Sequence, residues 1–335
     1  MGEMNDWINK CHFGDNRIVL RSMIDAGVRV QCVVTSPPYF GLRSYGIGAE
    51  NGEIGLEQTP AEYVAAMVEV FSLVWDLLAD DGVLWLNLGD SYFSNTKGTG
   101  GSNPATSSKQ AWKGAENGQA FPKIRLSAGD TSLKPKDLIG IPWRVAFALQ
   151  EAGWYLRQDI IWHKPNPMPE SVIDRCTKAH EYLFLLSKSE RYYFDNEAIK
   201  EPATSTNPKI PWQERTYGTG QGVGELNGDG SYKRGTSRQP CGNPDDGMRN
   251  KRSVWTVATT PYSGAHFATF PPALIEPCIL AGSRPGDVVL DPFFGSGTTG
   301  QVAQKLGRQW IGCELNPDYG ELQKDRTAQD AFVFA

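Results

Sequence analysis

The sequence predicts an α/β protein built on a doubly wound, mostly parallel sheet. Three observations predict it. Short apolar runs with strand character alternate with stretches whose apolar residues recur at helical spacing. Two of the strands, Val30–Val34 and Asp287–Leu290, run directly into tight turns rich in proline or glycine. Two long polar stretches, 94–132 and 200–252, lose all apolar periodicity and read as insertions into one large domain spanning 1–335. A chain of 335 residues can bury the sizeable core such a domain needs.

In chain order, residues 11–39 read as a short element, a helix and the buried strand Val30-Gln31-Cys32-Val33-Val34, which stops at prolines. The loop Phe40–Gln58 is rich in glycine and aromatic residues. Thr59-Pro60-Ala61-Glu62 opens a helix, with Thr59 as N-cap, Pro60 at the first helical position and Glu62 completing a capping box. Val64, Met67, Val68, Phe71, Val74, Trp75 and Leu78 then follow helical spacing. Asp80-Asp81-Gly82 reads as a turn into the strand Val83–Leu88. Beyond the first insertion, a helix over Pro142–Gly153 precedes a strand over Tyr155–Trp162. Glu181–Ser187 and Arg191–Phe194 suit a hairpin around Lys188-Ser189-Glu190, which would add an antiparallel edge. After the second insertion come a helix over Pro272–Ala281, a strand to Leu290, a helix over Gly297–Leu306 and a strand over Gln309–Cys313.

Composition narrows the function classes. No stretch reaches the ~20 consecutive apolar residues of a membrane span, and Met1–Lys10 lacks the apolar core of a signal peptide, so a soluble intracellular protein with no membrane partner is expected. The six cysteines form no C-x-x-C pair and the four histidines are dispersed, which argues against zinc, any other metal centre or a disulfide framework. The net charge is -5, yet 97–136 holds seven Lys/Arg against two acids and 200–252 nine against six. An acidic globule with two basic segments can bind phosphates locally and stay soluble.

Asp291-Pro292-Phe293-Phe294-Gly295-Ser296-Gly297-Thr298-Thr299-Gly300 lies between a predicted strand and a predicted helix. Glycines there allow close approach to a ligand, and the helix N-terminus offers free N–H groups. Gly295, Gly297 and Gly300 match the dinucleotide pattern, but a leading aspartate is unsuited to a pyrophosphate. Asp291 suits a ligand carrying an ammonium group, such as the methionine end of S-adenosylmethionine. One strand later Glu314 follows Ile311-Gly312-Cys313, where an acid can hold a ribose diol.

The second turn, Thr35-Ser36-Pro37-Pro38-Tyr39, is a rigid acceptor array, because two prolines fix φ and remove two N–H donors. The exocyclic amine of a nucleobase is a poor nucleophile, since its lone pair is conjugated into the ring. Hydrogen bonds from both its N–H groups, to Ser36 Oγ and the Pro37 carbonyl, would favour a tetrahedral nitrogen aimed at a methyl donor, with Tyr39 stacked on the base.

These residues carry a resemblance. The chain is similar to prokaryotic and phage site-specific DNA amino-methyltransferases, in the permuted order that places T-S-P-P-Y before the D-P-F-F-G-S-G-T-T turn. The resemblance extends to Phe13-Gly14-Asp15, Leu86–Tyr92, Ile161–Pro167 and Ala265–Pro271. It implies a Rossmann-like, S-adenosylmethionine-dependent methyltransferase fold with a seven-stranded sheet. It implies that Ser36, Pro37, Pro38 and Tyr39 are catalytic, and that Asp15, Thr35, Phe270, Asp291, Pro292, Phe293, Gly295, Ser296, Gly297, Thr298 and Glu314 bind the cofactor, with Asp15 near the adenine and Phe270 at the methionine end. Double-stranded DNA is the implied partner, and residues 200–252 fall where the family keeps its target-recognition region. There Arg215, Lys233, Arg234, Arg238, Arg249, Lys251 and Arg252, with Trp212, Tyr217 and Tyr232, are the candidate contacts to phosphates and base edges. Reaching a paired base requires flipping it, with Phe40–Gln58 and 94–132 as closing elements.

In this family T-S-P-P-Y is usually associated with cytosine N4, whereas D-P-P-Y and N-P-P-Y usually mark adenine N6. Cytosine N4 is therefore expected, adenine N6 second, and a catalytically inactive protein that binds cofactor and DNA third. RNA and protein amides are further substrates of related turns. A C5 methyltransferase needs a nucleophilic cysteine, and Cys241 and Cys278 lie in an insertion and in a core-facing helix. A cytoplasmic location in a bacterium or phage-infected cell and a cognate restriction endonuclease accompany such a family; the oligomeric state and recognition sequence are not written in the chain.

Overall fold

The computed structural model describes residues 5–41, 47–93, 132–203, 247–259 and 270–328. The chain divides into two compact units, one of 1–195 with 252–335 and one of 196–251.

The larger unit opens with strand β1 (Lys10–Phe13), helix α1 (Asn16–Asp25) and β2 (Val30–Thr35). Helix α2 (Pro60–Leu77) starts as its sequence requires: Thr59 Oγ1 accepts from Glu62 N and the Glu62 carboxylate accepts from Thr59 N. Its buried stripe is Tyr63, Met67, Val70, Phe71, Val74 and Leu77; Val64, Val68 and Trp75 pack at its margins.

The chain then enters β3 (Leu78–Leu88) without the turn expected at Asp80-Asp81-Gly82. Leu78 already pairs with Val30, and the ladder only shifts register before Cys32 meets Val83. Gly82 serves packing instead: a Cβ there would lie 2.6 Å from Leu78 Cγ and 2.9 Å from the Gln31 carbonyl oxygen.

Helix α3 (Ile141–Glu151), β4 (Tyr155–His163) and β5 (His180–Ser187) follow. The antiparallel element is β5, which lies between β3 and β4 and pairs antiparallel with both. Arg191–Phe194 therefore has no open edge of β5 to join, and the expected hairpin around 188–190 does not form. These aromatics pack instead, Phe194 against Trp85 with centroids 6.3 Å apart and Tyr193 beneath the Arg284 guanidinium at 3.8 Å.

The described part of the smaller unit holds a single turn of 3-10 helix (Glu197–Ile199) and a two-residue antiparallel ladder of β6 (Glu201–Pro202) with β7 (Met248–Arg249). The chain returns to the larger unit through β8 (Val254–Thr256), α4 (Pro272–Gly282), β9 (Val288–Asp291), α5 (Thr298–Lys305), β10 (Gln309–Glu314) and α6 (Gly320–Thr327). Neither β8 nor α6 is announced by a sequence signal.

The sheet order is β1-β10-β9-β2-β3-β5-β4-β8, parallel except where β5 pairs. β8 at the edge raises the number of strands from the expected seven to eight. Leu20, Met23, Phe71, Val145, Leu84, Leu86, Leu290 and Ile311 bury one face of the sheet beneath α1–α3. On the other face α4 comes so close that a Cβ on Gly282 would lie 2.8 Å from both Cys32 Sγ and Val83 Cγ2. Among the described residues no helix is long and apolar enough to cross a membrane.

Candidate active site

From β2 the chain progresses to β3 on one side, and from β9 to β10 on the other. Such a switch in winding direction opens a crevice at the carboxyl ends of the two strands. The two turns singled out in the sequence begin there, side by side. Thr35 Oγ1 donates to Asp291 Oδ1 at 2.6 Å, tying one turn to the other.

Asp291 is 2 % exposed and also accepts from Phe293 N at 3.0 Å and Thr299 Oγ1 at 2.6 Å. Burial lifts its pKa to about 6 against the pull of these bonds. The turn beyond it is anchored by Phe294, whose N–H donates to Cys313 O at 2.8 Å and whose ring stacks on Trp310 with centroids 5.0 Å apart. Gly312 makes room for that ring, since a Cβ would fall 2.3 Å from Phe294 Cγ. Gly297, at φ 87°, caps α5 in the left-handed region.

Glu314, at the end of β10, accepts from Gly295 N at 2.7 Å and Asn316 N at 2.8 Å. Burial raises its pKa to about 7, with the Asp291 charge adding to the rise. The cleft between these elements has an open volume of about 850 Å³, its mouth to solvent included. Ser36, Pro38, Phe270, Asp291, Pro292, Phe293, Gly295, Ser296, Thr298 and Glu314 line it.

Other expected residues stand behind this wall. Thr35 acts through Asp291, and Gly297 sets the helix start. Asp15 caps α1 through Arg17 N and pairs with the Arg17 guanidinium at 2.6 Å, which contributes to holding its carboxyl below the ordinary range despite burial. It backs the cleft-lining Gly52, where a Cβ would lie 2.6 Å from Asp15 Oδ2. Asn16, not foreseen from sequence, lines the cleft and donates to Pro292 O at 3.1 Å. Gln323 of α6 likewise braces the turn through Gly295 O at 2.7 Å.

A cofactor test rests on Ser296. Its hydroxyl is buried in the cleft wall and has no hydrogen-bond partner among the described residues. A buried hydroxyl is normally satisfied, so this atom has hydrogen-bonding capacity to offer a polar ligand group. Together with the carboxylates of Asp291 and Glu314 and the N-terminus of α5, it fits an amino-acid end and a ribose.

In the Thr35–Tyr39 turn, Pro37 is buried, and Pro38 O accepts from Tyr63 Oη at 2.9 Å. Ser36 Oγ donates to Asn87 Oδ1 at 3.2 Å. Tyr39 Oη lies 2.6 Å from Glu181 Oε2 and 3.1 Å from Asn87 Oδ1, and burial beside the Glu181 charge raises its pKa. The Tyr39 ring rests on Gly89, where a Cβ would come within 2.5 Å of Cε2. Lys164 Nζ pairs with Glu181 Oε1. Asn87 sits in the Leu86–Tyr92 stretch already noted, but its role and that of Glu181 carry no sequence signal of their own.

Of the basic residues assigned to DNA, Arg249 pairs with Glu201 at 2.9 Å, Lys251 is half-buried and Arg252 is exposed. Arg215, Lys233, Arg234 and Arg238, the aromatics among them, most of 94–132 and Ala265–Thr269 lie outside the described residues.

Comparison with known proteins shows the family and the fold of the chain. The chain is 46% identical over 316 residues to the Type II methyltransferase M.Cfr9I of Citrobacter freundii, covering 93% of this chain and 85% of that protein. It is 47% identical over 298 residues to the Type II methyltransferase M.SmaI of Serratia marcescens, covering 88% and 83%. Among solved structures it shares its fold with the PvuII DNA methyltransferase (cytosine-N4-specific), at TM-score 0.58, 20% identity and coverage of 97% and 88%. It does so too with the M1.HpyAVI complex with S-adenosylmethionine, at TM-score 0.51, 17% identity and coverage of 95% and 98%. The N6/N4 DNA methylase model matches residues 30–325, from the strand that leads into the Thr35–Tyr39 turn through the glycine turn and into α6, and the chain belongs to that family.

Proposed function

We propose that this protein transfers a methyl group from S-adenosylmethionine to the exocyclic amine of a base in double-stranded DNA, and that the base is cytosine, methylated at N4. The observation that carries this reading is Ser36. Ser36 lines the same cleft as the glycine turn, and its hydroxyl donates to Asn87 Oδ1 at 3.2 Å, which leaves oxygen lone pairs to accept from an amine.

When bound, the cofactor supplies an electrophilic methyl group. Asp291 and the α5 N-terminus are assigned to its amino-acid end with Phe270, Ser296 to a polar group at the cleft wall, and Glu314 to its ribose. Ser36 Oγ and the Pro37 carbonyl accept hydrogen bonds from the two amine N–H groups, so the nitrogen lone pair turns from the ring toward the donor. Tyr39, pinned at its hydroxyl and against Gly89, offers a fixed ring to the base. Positioning and electrostatics then perform the reaction without a covalent enzyme intermediate.

Thr35-Ser36-Pro37-Pro38-Tyr39 favours cytosine over adenine, and a structural neighbour bears the designation cytosine-N4-specific. Adenine N6 is the second reading, because both bases present the same amine. The basic residues of 200–252, including Arg249, Lys251 and Arg252, are assigned to DNA. As with the Type II relatives, protection against a cognate endonuclease is the assigned role.

The test incubates the protein with labelled S-adenosylmethionine and mixed-sequence duplex DNA, digests the DNA to nucleosides and identifies the labelled one by mass spectrometry. N4-methylcytosine is expected. N6-methyladenine would move the assignment to the second reading, and no labelled nucleoside would overturn it.

A further inference from the structure

Behind the substrate turn lies a half-buried polar chain, with Asn87 at its buried centre, whose direction is set by chemistry. Asn87 Nδ2 donates to Tyr182 O at 3.0 Å and faces Glu181 Oε2 at 3.4 Å. Turning the amide over would set its oxygen against that carbonyl and that carboxylate, three acceptors with no proton between them. Asn87 Oδ1 is therefore held toward Ser36 and Tyr39. Glu181 is held in turn by Lys164, whose Nζ also lies 4.2 Å from the Trp162 ring centre. Tyr39 has one proton, and at 2.6 Å the Glu181 carboxylate takes most of it, leaving Asn87 Oδ1 to receive the proton of Ser36.

From this we infer that Asn87, oriented by Glu181, is a positioning residue that makes Ser36 an obligate hydrogen-bond acceptor and so selects a base bearing an amine over one bearing a carbonyl at the same ring position. The inference rests on the reading of Ser36 as the amine acceptor. A serine hydroxyl free to rotate can donate to a carbonyl as readily as accept from an amine. With its proton committed to Asn87, it meets a carbonyl oxygen with a lone pair, and the mismatched pair is repelled. Leucine at position 87 removes the amide acceptor and loosens the rotor, with the Tyr39 hydroxyl the remaining neighbour of the Ser36 proton.

The experiment first maps the sites methylated by the wild-type protein in mixed-sequence duplex DNA. Duplexes are then made in which the target base is kept or replaced by its deaminated counterpart, uracil for cytosine or hypoxanthine for adenine. With S-adenosylhomocysteine present, the wild type is expected to prefer the amine-bearing duplex, and Asn87→Leu to bring the two affinities within about twofold. Turnover on the normal duplex should fall by about tenfold to a hundredfold, the factor carried by one oriented hydrogen bond to a group developing charge. Cofactor affinity should stay within about twofold. Glu181→Gln, which keeps the shape and removes the charge that orients Asn87, should weaken the preference in the same direction and serves if Asn87→Leu folds poorly. Unchanged preference in both variants would overturn the inference while leaving the function intact. A wild type that methylates no DNA would remove the function and the inference with it.

Discussion

Asp291 carries two duties that its position at the end of β9 imposes together. Its carboxylate joins the two turns through Thr35 and Thr299, and its charge is assigned to the ammonium of the cofactor. Asp291→Ala should therefore weaken S-adenosylmethionine binding by tenfold or more, about 1.4 kcal/mol or above, as measured by calorimetry. Pro38→Ala should leave that binding nearly unchanged and abolish turnover, because it loosens only the acceptor turn; full activity in both variants would sink the assignment.

The same residues impose a pH dependence. Burial raises Asp291 to about 6 and Glu314 to about 7, above their values in the unfolded chain. The folded protein thus holds protons that the unfolded chain releases, and these groups contribute stability at low pH that is lost as pH rises toward 6–7. Cofactor binding has the opposite sign, since it draws on the ionised carboxylates. Affinity should fall as pH drops from about 7.5 through 6, with proton release on binding in that window. An affinity that is flat between pH 5.5 and 8 would remove both carboxylates from the cofactor site.

Among the elements, α2 is stabilised locally at Thr59, which does not line the cleft, although Tyr63 of the same helix braces Pro38 O further along. Loss of its cap in Thr59→Ala should cost about 1 kcal/mol in urea unfolding, with kcat unaltered. The glycine turn depends instead on contact between elements. Gly312→Ala places a methyl 2.3 Å from Phe294 Cγ, and the ring has Trp310 stacked beside it. Phe294 must move and carry the turn with it, so cofactor affinity should drop far more than the helix-cap variant's does. Equal affinity in Gly312→Ala and wild type, by titration, would show that the turn does not need Phe294 in place.

At the scale of the whole molecule, the cleft is a seam between the two directions in which the sheet is wound. A ligand that bridges β9, β10 and β2 should tie the halves of the sheet together. Saturation at about 100 times Kd adds about 2.7 kcal/mol of stability to a protein that binds only when folded. S-adenosylmethionine should accordingly raise the melting temperature by several degrees, and Asp291→Ala should lose that rise. Local signals in the chain were sufficient for the repeating elements: the Thr59 cap, the prolines after Thr35, and the strand, glycine turn and helix at 288–305 are each written in a few adjacent residues. Those signals also placed both turns of the candidate site, because a strand ending in a constrained turn is a local event. Where the reading departed from the structure, pairing partners decided. Asp80-Asp81-Gly82 continues a strand because Val30 is there to pair with Leu78, and Arg191–Phe194 stays out of the sheet because β3 and β4 already occupy both edges of β5. The same reason hid Asn87 and Glu181. Hydrogen bonds from Ser36 and Tyr39 reach across 51 and 142 residues of chain, and only the packing of β2, β3 and β5 in one sheet brings those groups within bonding distance.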